Sequence, residues 1–247
     1  MAKVERALLR SLALLVIPVA AALLLVGLLI ANRTSWSAQE IRHRSDLAEQ
    51  CDSALAEASR ALESGLFETA LARLESNRKC DGELEFDAAR AEALAFLDRV
   101  LEAESLVSSV LARSPHQPSG LRARAASSIS RRQFQIAEAS IRELDQVHPK
   151  HVSTLYLKAL TAMRRAQYNA ARTGFLGVLR ANRRHVGARF ALVVLTSQSG
   201  VSDEARHHLR ELLEIAPADD PRRAQAERLI DAPVVSPNSR VLKLGSD

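Results

Sequence analysis

The chain has 247 residues, of which 47% are hydrophobic, 26% are charged and only 4% are aromatic, and its formal net charge at pH 7 is +5. Abundant small and aliphatic residues with few aromatic ones are typical of packed helices and argue against a sheet protein. The charge is divided along the chain. Residues 40–112 hold 8 Lys/Arg and 16 Asp/Glu, whereas residues 113–210 hold 17 Lys/Arg and 5 Asp/Glu. A basic surface of this kind attracts acidic segments or anionic head groups.

The N-terminal region predicts a membrane anchor. Residues 1–10 form a short basic tail, and residues 11–31 contain no charged side chain. At about 1.5 Å per residue, a helix over this segment spans the roughly 30 Å core of a bilayer. The alternative is a cleaved signal peptide, whose apolar region is shorter and ends in small residues. We therefore expect a single uncleaved transmembrane helix.

The charges around this segment give its expected orientation. Three Lys/Arg precede the segment and three follow it within the roughly 15–20 residues that influence orientation, and the preceding ones lie closer to its end. This arrangement favours an N-terminus inside the cell. We thus predict a single-pass inner (cytoplasmic) membrane protein of bacterial type, with its main domain in the periplasm or otherwise outside the cytoplasm. Residues 32–50 are predicted to be a juxtamembrane helical spacer.

Residues 51–219 carry a repeated pattern of small residues. Alanines recur every 33 or 34 residues, with small residues 12 positions before each and proline 12 positions after most of them. The recurring alanines are Ala70, Ala103, Ala137, Ala171 and Ala205. The preceding small residues are Ala58, Ala91, Ala125, Ala159 and Val193, and the prolines are Pro115, Pro149 and Pro217. Each unit thus predicts two closely packed helices, and the residues after the second helix are expected to end it. A lone hairpin cannot bury its apolar face, so the units must stack.

This pattern resembles the tetratricopeptide repeat (TPR) family, although no unit has the family's early Trp and Val100 replaces an expected aromatic residue. The resemblance implies an all-α, TPR-type α-solenoid of about five helical hairpins, preceded by the single transmembrane helix. The expected units lie near 51–83, 84–117, 118–151, 152–185 and 186–219. A capping helix at 220–231 is expected to close the array. Residues 232–247 are expected to form a flexible tail.

The family resemblance also implies a partner groove lined by the first helix of each hairpin. Carried over by position, the groove residues are Arg122, Ile129, Tyr156, Leu160, Met163, Phe190 and Val194. Met and aromatic side chains suit adaptable binding of a peptide or helix. The alternative is that Tyr156 and Phe190 merely pack against adjacent repeats.

The two cysteines fall at opposite ends of the first hairpin. In a TPR hairpin the start of one helix lies beside the end of the other, so Cys51 and Cys80 should be neighbours. We predict a disulfide between them, which would persist in an oxidising compartment. The alternative is two unrelated thiols.

No motif for catalysis or for a cofactor is present in the sequence. Phosphate loops, nucleophile elbows and zinc-protease helices are absent, and His148 and His151, which flank Pro149, are not expected to have a Cys or carboxylate partner for a metal site. Arginine clusters without interleaved aromatic residues do not favour nucleic-acid binding. We therefore expect no enzyme activity, cofactor or metal.

The predicted function is a membrane-anchored scaffold for a protein or peptide partner, and the basic half of the array favours an acidic one. The alternatives are a self-associating structural component and a non-catalytic accessory subunit of a membrane enzyme or secretion complex.

Overall fold

A computed structural model of the chain describes residues 40–197 and 202–230. The predicted tail 1–10, the predicted transmembrane segment 11–31, residues 32–39 of the spacer and the tail 232–247 lie outside the described residues. In the described ranges no helix is both long and apolar enough to cross a membrane. The chain divides into two compact units between residues 50 and 51.

The described part of the first unit, residues 40–50, is helical. Its side chains are exposed except for that of Leu47, which is half-buried. Arg44 and Glu40 form an ion pair of 3.1 Å, one helical turn apart. An exposed helix with such a pair gains only a few tenths of a kcal/mol from it.

The second unit consists, over its described residues, of five helical hairpins followed by one helix. The helices are α1 (residues 40–63, of which 51–63 belong to this unit), α2 (Phe67–Glu75), α3 (Leu84–Phe96), α4 (Val100–Arg113), α5 (Pro118–Ser130), α6 (Phe134–Val147), α7 (Val152–Arg164), α8 (Tyr168–Ala181), α9 (Val186–Thr196), α10 (Asp203–Ile215) and α11 (Pro221–Ile230). A short 3₁₀ turn, Arg78–Cys80, follows α2. The all-α prediction and the solenoid of hairpins are confirmed for these residues.

The hairpins keep a constant register. The first helices α3, α5, α7 and α9 start at Leu84, Pro118, Val152 and Val186, which are 34 residues apart. Within each of the first four hairpins, one residue of the turn adopts a left-handed conformation. These residues are Gly65, Asp98, Arg132 and Ala166, with φ of 67°, 62°, 59° and 58°. A shared turn geometry is what makes successive hairpins stack alike.

Small side chains hold the helices of each hairpin together. The five recurring alanines of the second helices have no exposed surface, and the small residues opposite them in the first helices are at most 2% exposed. At Gly174 the approach is so close that a Cβ atom would lie 2.8 Å from the Cβ of Ala159. Contacts this close pack the core densely and tolerate little added volume.

The last helix covers the end of the array. A separate apolar cluster joins α9, α10 and α11, and Ala226 of α11 is fully buried in it. Arg223 on the same helix donates hydrogen bonds from Nη1 to the carbonyl oxygens of Leu213, at 2.6 Å, and Ala216, at 3.0 Å. These bonds satisfy carbonyls that the C-terminus of α10 leaves without intrahelical partners.

The turn between α1 and α2 also contacts the far end of the array. The carbonyl oxygens of Glu63, Ser64 and Gly65 accept hydrogen bonds from distant donors. The donors are Asn182 Nδ2 at 2.8 Å, the backbone N–H of Val186 at 2.9 Å and Arg222 Nη1 at 2.7 Å, respectively. We call this set of contacts the clasp. The repeat pattern did not predict it.

Candidate functional site

The first helices of the hairpins form the inner face of the array, and the clasp divides that face into two parts. One part, which we call the closed sector, lies under the α1–α2 turn and contains the rings around Tyr156. The other part, the open cavity, lies beside the turn and is lined by charged side chains. Only the second part is open to a ligand.

Tyr156 is the centre of the closed sector. Its ring centroid lies 5.9 Å from that of Phe67, 5.7 Å from those of Phe96 and Phe175, and 4.7 Å from that of His185. Only 7% of the residue is exposed. Burial raises the pKa of the Tyr156 phenol to about 12, since the charged form is disfavoured away from water. Tyr156 is therefore a core residue.

Gly65 lets the turn reach this aromatic cluster. A Cβ at Gly65 would lie 2.5 Å from His185 Cε1 and 2.9 Å from the backbone nitrogen of Gly187. The left-handed φ alone does not demand glycine here, because Arg132 and Ala166 adopt the same conformation in equivalent turns. The close approach is what excludes a side chain.

Arg222 closes the sector from the side of α11. Its side chain is 11% exposed, and its Nη2 lies 2.6 Å from Asp220 Oδ2 and 3.3 Å from Glu68 Oε2. Burial alone would lower the pKa of Arg222, but its hydrogen bond to Asp220 and the charges of Asp220 and Glu68 raise it. The guanidinium also lies 5.8 Å from the centroid of the Phe67 ring. A buried charge satisfied in this way is costly to leave without its partners.

Three side chains placed 34 residues apart cap the first helices. Gln117, His151 and His185 precede α5, α7 and α9, and each accepts a hydrogen bond from a backbone N–H of its helix. The bonds run from Gly120 N to Gln117 Oε1 at 2.6 Å, from Ser153 N to His151 Nδ1 at 3.2 Å and from Ala188 N to His185 Nδ1 at 3.0 Å. The repeat spacing of these polar residues is the signal that could have identified them as N-caps.

His185 differs from the other caps in being enclosed. It is 1% exposed, and burial together with the positive charge of Arg222 lowers its pKa to about 3. The imidazole is therefore neutral at pH 7, as a hydrogen-bond acceptor at Nδ1 must be. A proton on this ring would break the cap and place a charge in the closed sector.

The seven residues expected to line the partner groove differ in exposure. Arg122, Ile129 and Tyr156 are 9%, 3% and 7% exposed, so they offer almost no surface to a partner. Of the remaining four, Leu160, Met163 and Phe190 are half-buried and Val194 is 43% exposed. Neighbouring helices and the α1–α2 turn occupy the space that the groove prediction assigned to a ligand. The alternative of packing against other repeats is the correct one for Tyr156.

The open cavity has a volume of about 230 Å³ and lies between α1, α3 and the N-terminal ends of α5 and α7. Its charged and titratable lining residues are Glu63, Glu85, Glu92, Arg122, His148 and His151. Leu62 and Pro118 supply apolar wall. Of the predicted groove residues, Arg122 alone lines this cavity.

A buried ion pair forms the floor of the cavity. Arg122 Nε donates to Glu92 Oε1 at 2.7 Å, and Arg122 Nη2 donates to Ser119 Oγ at 2.6 Å. Glu92 is fully buried, and its second oxygen, Oε2, has no hydrogen-bond partner among the described residues. Burial, and then the positive charge of Arg122, lowers the pKa of the nearby His151 ring. The cavity thus combines a carboxylate oxygen that has no donor with a guanidinium that is already paired with a carboxylate.

A second surface lies at the C-terminal end of α8 and beside α9. We call it the basic patch; it is a cavity of about 520 Å³ lined by Leu176, Leu179, Arg180, Arg183 and Arg189. Arg189 is held in an ion pair with Glu211. Arg180 and Arg183 are exposed, and no described carboxylate pairs with either of them. These two side chains are free to meet an anionic group.

The two cysteines join the ends of the first hairpin. Cys51 and Cys80 form a disulfide, and their Cα atoms lie 5.8 Å apart. Cys80 is 1% exposed and Cys51 is half-buried. The bond therefore fixes the hairpin whose turn makes the clasp. In the described ranges no group of three or more His, Cys, Asp or Glu residues is arranged to hold a metal ion.

The stacked hairpins define an all-α, helical-repeat fold. No protein-family profile and no curated protein matches the sequence. Among solved structures, the chain is similar to TTC0263, a thermophilic TPR protein of Thermus thermophilus. The two share 19% identity over 73% of this chain and 98% of that one, with a TM-score of 0.53. This likeness shows a TPR fold.

Two other solved structures are also similar. One is a tetratricopeptide repeat protein from Parabacteroides merdae ATCC 43184, with 18% identity over 74% of each chain and a TM-score of 0.41. The other is a MamA RS-1 double mutant, with 17% identity over 71% of this chain and 96% of that chain and a TM-score of 0.40.

Proposed function

We propose that the chain is a non-enzymatic scaffold, anchored in the inner membrane by residues 11–31, that binds protein partners outside the cytoplasm. The observation that carries this proposal is the Cys51–Cys80 disulfide. Such bonds persist in the periplasm and are rare in the reducing cytosol. The uncharged run of residues 11–31 supports the anchor, because it has the length that a bilayer requires.

The basic patch is the surface that best fits an acidic partner segment. Arg180 and Arg183 project from it without carboxylate partners, and Leu176 and Leu179 supply apolar contact between them. A guanidinium that meets a carboxylate across an interface makes a charge-assisted, often bidentate bond. Association through such a surface is expected to weaken as salt concentration rises.

Thiol labelling in intact cells tests the placement of the domain. In a Ser109→Cys variant, the exposed new thiol should react with a membrane-impermeant maleimide, because position 109 would face the outside. Cys51 and Cys80 should react only after denaturation and reduction. An introduced thiol that reacts only in broken cells would contradict an extracytoplasmic domain, and two alkylatable native thiols would contradict the disulfide in the cell.

Partner capture tests the scaffold role. A photo-crosslinking residue at position 183 of the full chain in its own membrane should trap another protein, while the same residue at exposed position 101 on α4 serves as the control. Trapping that disappears in the Arg180→Ala background would support an acidic partner at the basic patch. Products that contain only this chain would instead indicate self-association. No product at 183 beyond that at 101 would contradict binding at the basic patch.

A further inference from the structure

We propose that the open cavity binds the ammonium group of a lysine side chain from a partner segment. This inference rests on the proposed scaffold function and gives one partner-binding surface a specific chemistry. It reverses the charge expected of the partner at this part of the inner face, because the sequence-based expectation was an acidic partner.

The cavity has an excess of carboxylates. Glu63, Glu85 and Glu92 line it, against the single guanidinium of Arg122. The single positive charge of Arg122 is already paired with Glu92, and Arg122 also donates to Ser119. His151 is kept from gaining a proton at neutral pH, since burial and Arg122 lower its pKa. A cation is therefore the ion that the cavity attracts.

Glu92 supplies the observation that points to a ligand rather than to a merely acidic surface. It lines the cavity and is fully buried, yet its Oε2 has no hydrogen-bond partner among the described residues. A buried carboxylate oxygen without a donor is unfavourable, and native structures rarely leave one. A donor that enters the cavity would satisfy it.

The pattern of used and unused oxygens favours an ammonium over a guanidinium. Glu92 Oε1 is engaged by Arg122, and Glu85 Oε2 accepts from Gln117 Nε2 at 2.6 Å. Each of these carboxylates thus keeps one oxygen available, whereas the planar fork of an arginine binds best to both oxygens of one carboxylate. An ammonium donates up to three separate bonds, so it suits a cavity whose free acceptors are single oxygens on different carboxylates.

The size and walls of the cavity favour a side chain as the source of the ammonium. A volume of about 230 Å³ admits one long side chain, and Leu62 and Pro118 offer apolar wall for its methylene groups. Lysine commonly buries its aliphatic stem in this way while its charged end meets polar partners. The cavity opens beside the α1–α2 turn on the inner face, where an extended partner segment could lie.

Ligand-observed NMR with the full-length protein in detergent tests the inference. The probe is Nα-acetyl-lysine methylamide, and saturation transfer is measured on its side-chain methylene protons. Its Nε-acetylated counterpart lacks the positive charge and should bind at least about tenfold more weakly, a loss that corresponds to about 1.4 kcal/mol. Equal saturation of the charged and the acetylated probes would overturn the inference.

Two further probes test the selectivity. Nα-acetyl-arginine methylamide should bind several-fold more weakly than the lysine probe, and an equal response would overturn the preference for an ammonium. The free amine n-butylamine should bind more weakly than the lysine probe. If it binds as well, the cavity recognises a small amine and the lysine side chain is not its ligand.

Variants connect the binding to the cavity. Glu92→Gln should reduce binding of the lysine probe about tenfold; Gln retains an oxygen that can accept from Arg122. Glu92 is fully buried, so its substitution can disturb folding as well as binding. Glu63→Gln/Glu85→Gln is therefore a second variant, and it leaves the Glu92–Arg122 pair intact. The matched control is Glu57→Gln on α1, a partly exposed carboxylate that pairs with Arg73 outside the cavity. Unchanged binding in both cavity variants would overturn the assignment.

The result separates this inference from the proposed function. If crosslinking at the basic patch traps a partner but the lysine probe does not bind, the cavity inference fails and the scaffold stands. If the probe binds and depends on Glu92 but no partner is trapped anywhere on the chain, the chemistry of the cavity stands and the scaffold role fails.

Discussion

The closed sector and the open cavity lie side by side on the same inner face, yet one is part of the core and the other is accessible. The closed sector contains the rings of Phe67, Tyr156 and Phe175, covered by a turn whose carbonyls all find donors. The open cavity is lined by Glu63 and Glu85, which are exposed at the surface. Two neighbouring parts of one face can therefore differ in exposure, and the segment that packs over them decides which part is buried.

The physical basis of this difference is the cost of removing each kind of group from water. Aromatic rings are stabilised by burial, and pairs of rings add further attraction. A carboxylate can be buried only with a partner, as Glu92 is with Arg122. The turn covers the part of the inner face that gains from burial and leaves the charged part uncovered.

The largest expected effect comes from removing the centre of the closed sector. Tyr156→Ala should lower the free energy of unfolding by about 3–5 kcal/mol, since a buried aromatic side chain would leave a cavity. Denaturant unfolding of the full-length chain measures this. Tyr168→Ala, at a residue that is 48% exposed, should change stability by less than about 0.5 kcal/mol. Similar values for the two variants would show that Tyr156 is accessible after all.

Loss of the disulfide should have the next largest effect. Cys51→Ala/Cys80→Ala removes a link between residues 29 positions apart, and the chain-entropy relation assigns such a link about 3–4 kcal/mol. The oxidised and reduced wild-type chains should differ by a similar amount in the same unfolding experiment. Reduced protein as stable as oxidised protein would show that the clasp holds the first hairpin without the bond.

Gly65 and Gly82 form a matched pair that isolates the clasp. Both have positive φ, but nothing lies within 4 Å of a Cβ built at Gly82, whereas one at Gly65 meets His185. Gly82→Ala should therefore cost only about 1 kcal/mol of backbone strain. Gly65→Ala should cost about 2–3 kcal/mol, because the turn must also withdraw from His185. Thermal unfolding of both variants gives the difference, and equal losses would mean that the close approach is unimportant.

The smallest expected effect is on the pH dependence of stability. Burial holds the pKa of His185 at about 3 in the folded chain, below its ordinary value of 6.5, so the unfolded chain takes up a proton first as pH falls. The stability linked to this ring is complete above pH 6.5 and is lost as pH falls toward 3. Between about pH 7 and pH 5 the loss should be about 2 kcal/mol.

A substitution that keeps the cap isolates this contribution. His185→Asn retains a side-chain acceptor for the N-terminus of α9 but has no titrating ring, so stability should fall less between about pH 7 and pH 5. His43→Asn, at an exposed residue, is the control substitution. The same loss in the wild type and in His185→Asn would show that His185 does not govern this pH response.

The hairpins could be predicted from the sequence because their signal is local and periodic. Ala137 and Ala171 are spaced to place small residues between paired helices, and both are fully buried as that spacing indicates. The Glu92–Arg122 pair could also have been predicted, since the two residues lie on the first helices of successive units. The N-caps Gln117, His151 and His185 repeat every 34 residues and were visible in the same way.

The closed sector could not be predicted from the repeat pattern. That pattern specifies how each hairpin meets the next, but the contact of Ser64 with Val186 depends on the summed rotation of all the hairpins between them. A small difference in each interface would move the turn away from α9. For this reason the sequence left open whether Tyr156 lines a groove or packs against adjacent repeats, and its burial became evident only in three dimensions.

The clasp also affects the order in which contacts form while the chain is being synthesised. Asn182, the donor to Glu63, follows it by 119 residues, and Arg222 follows Gly65 by 157. At about 5–20 residues per second, synthesis of the first interval takes roughly 6–24 s. Throughout that time the turn carbonyls lack the donors to which they later bond. The hairpin that is made first is therefore the last to complete its contacts, and it is the one most exposed to association with other nascent chains.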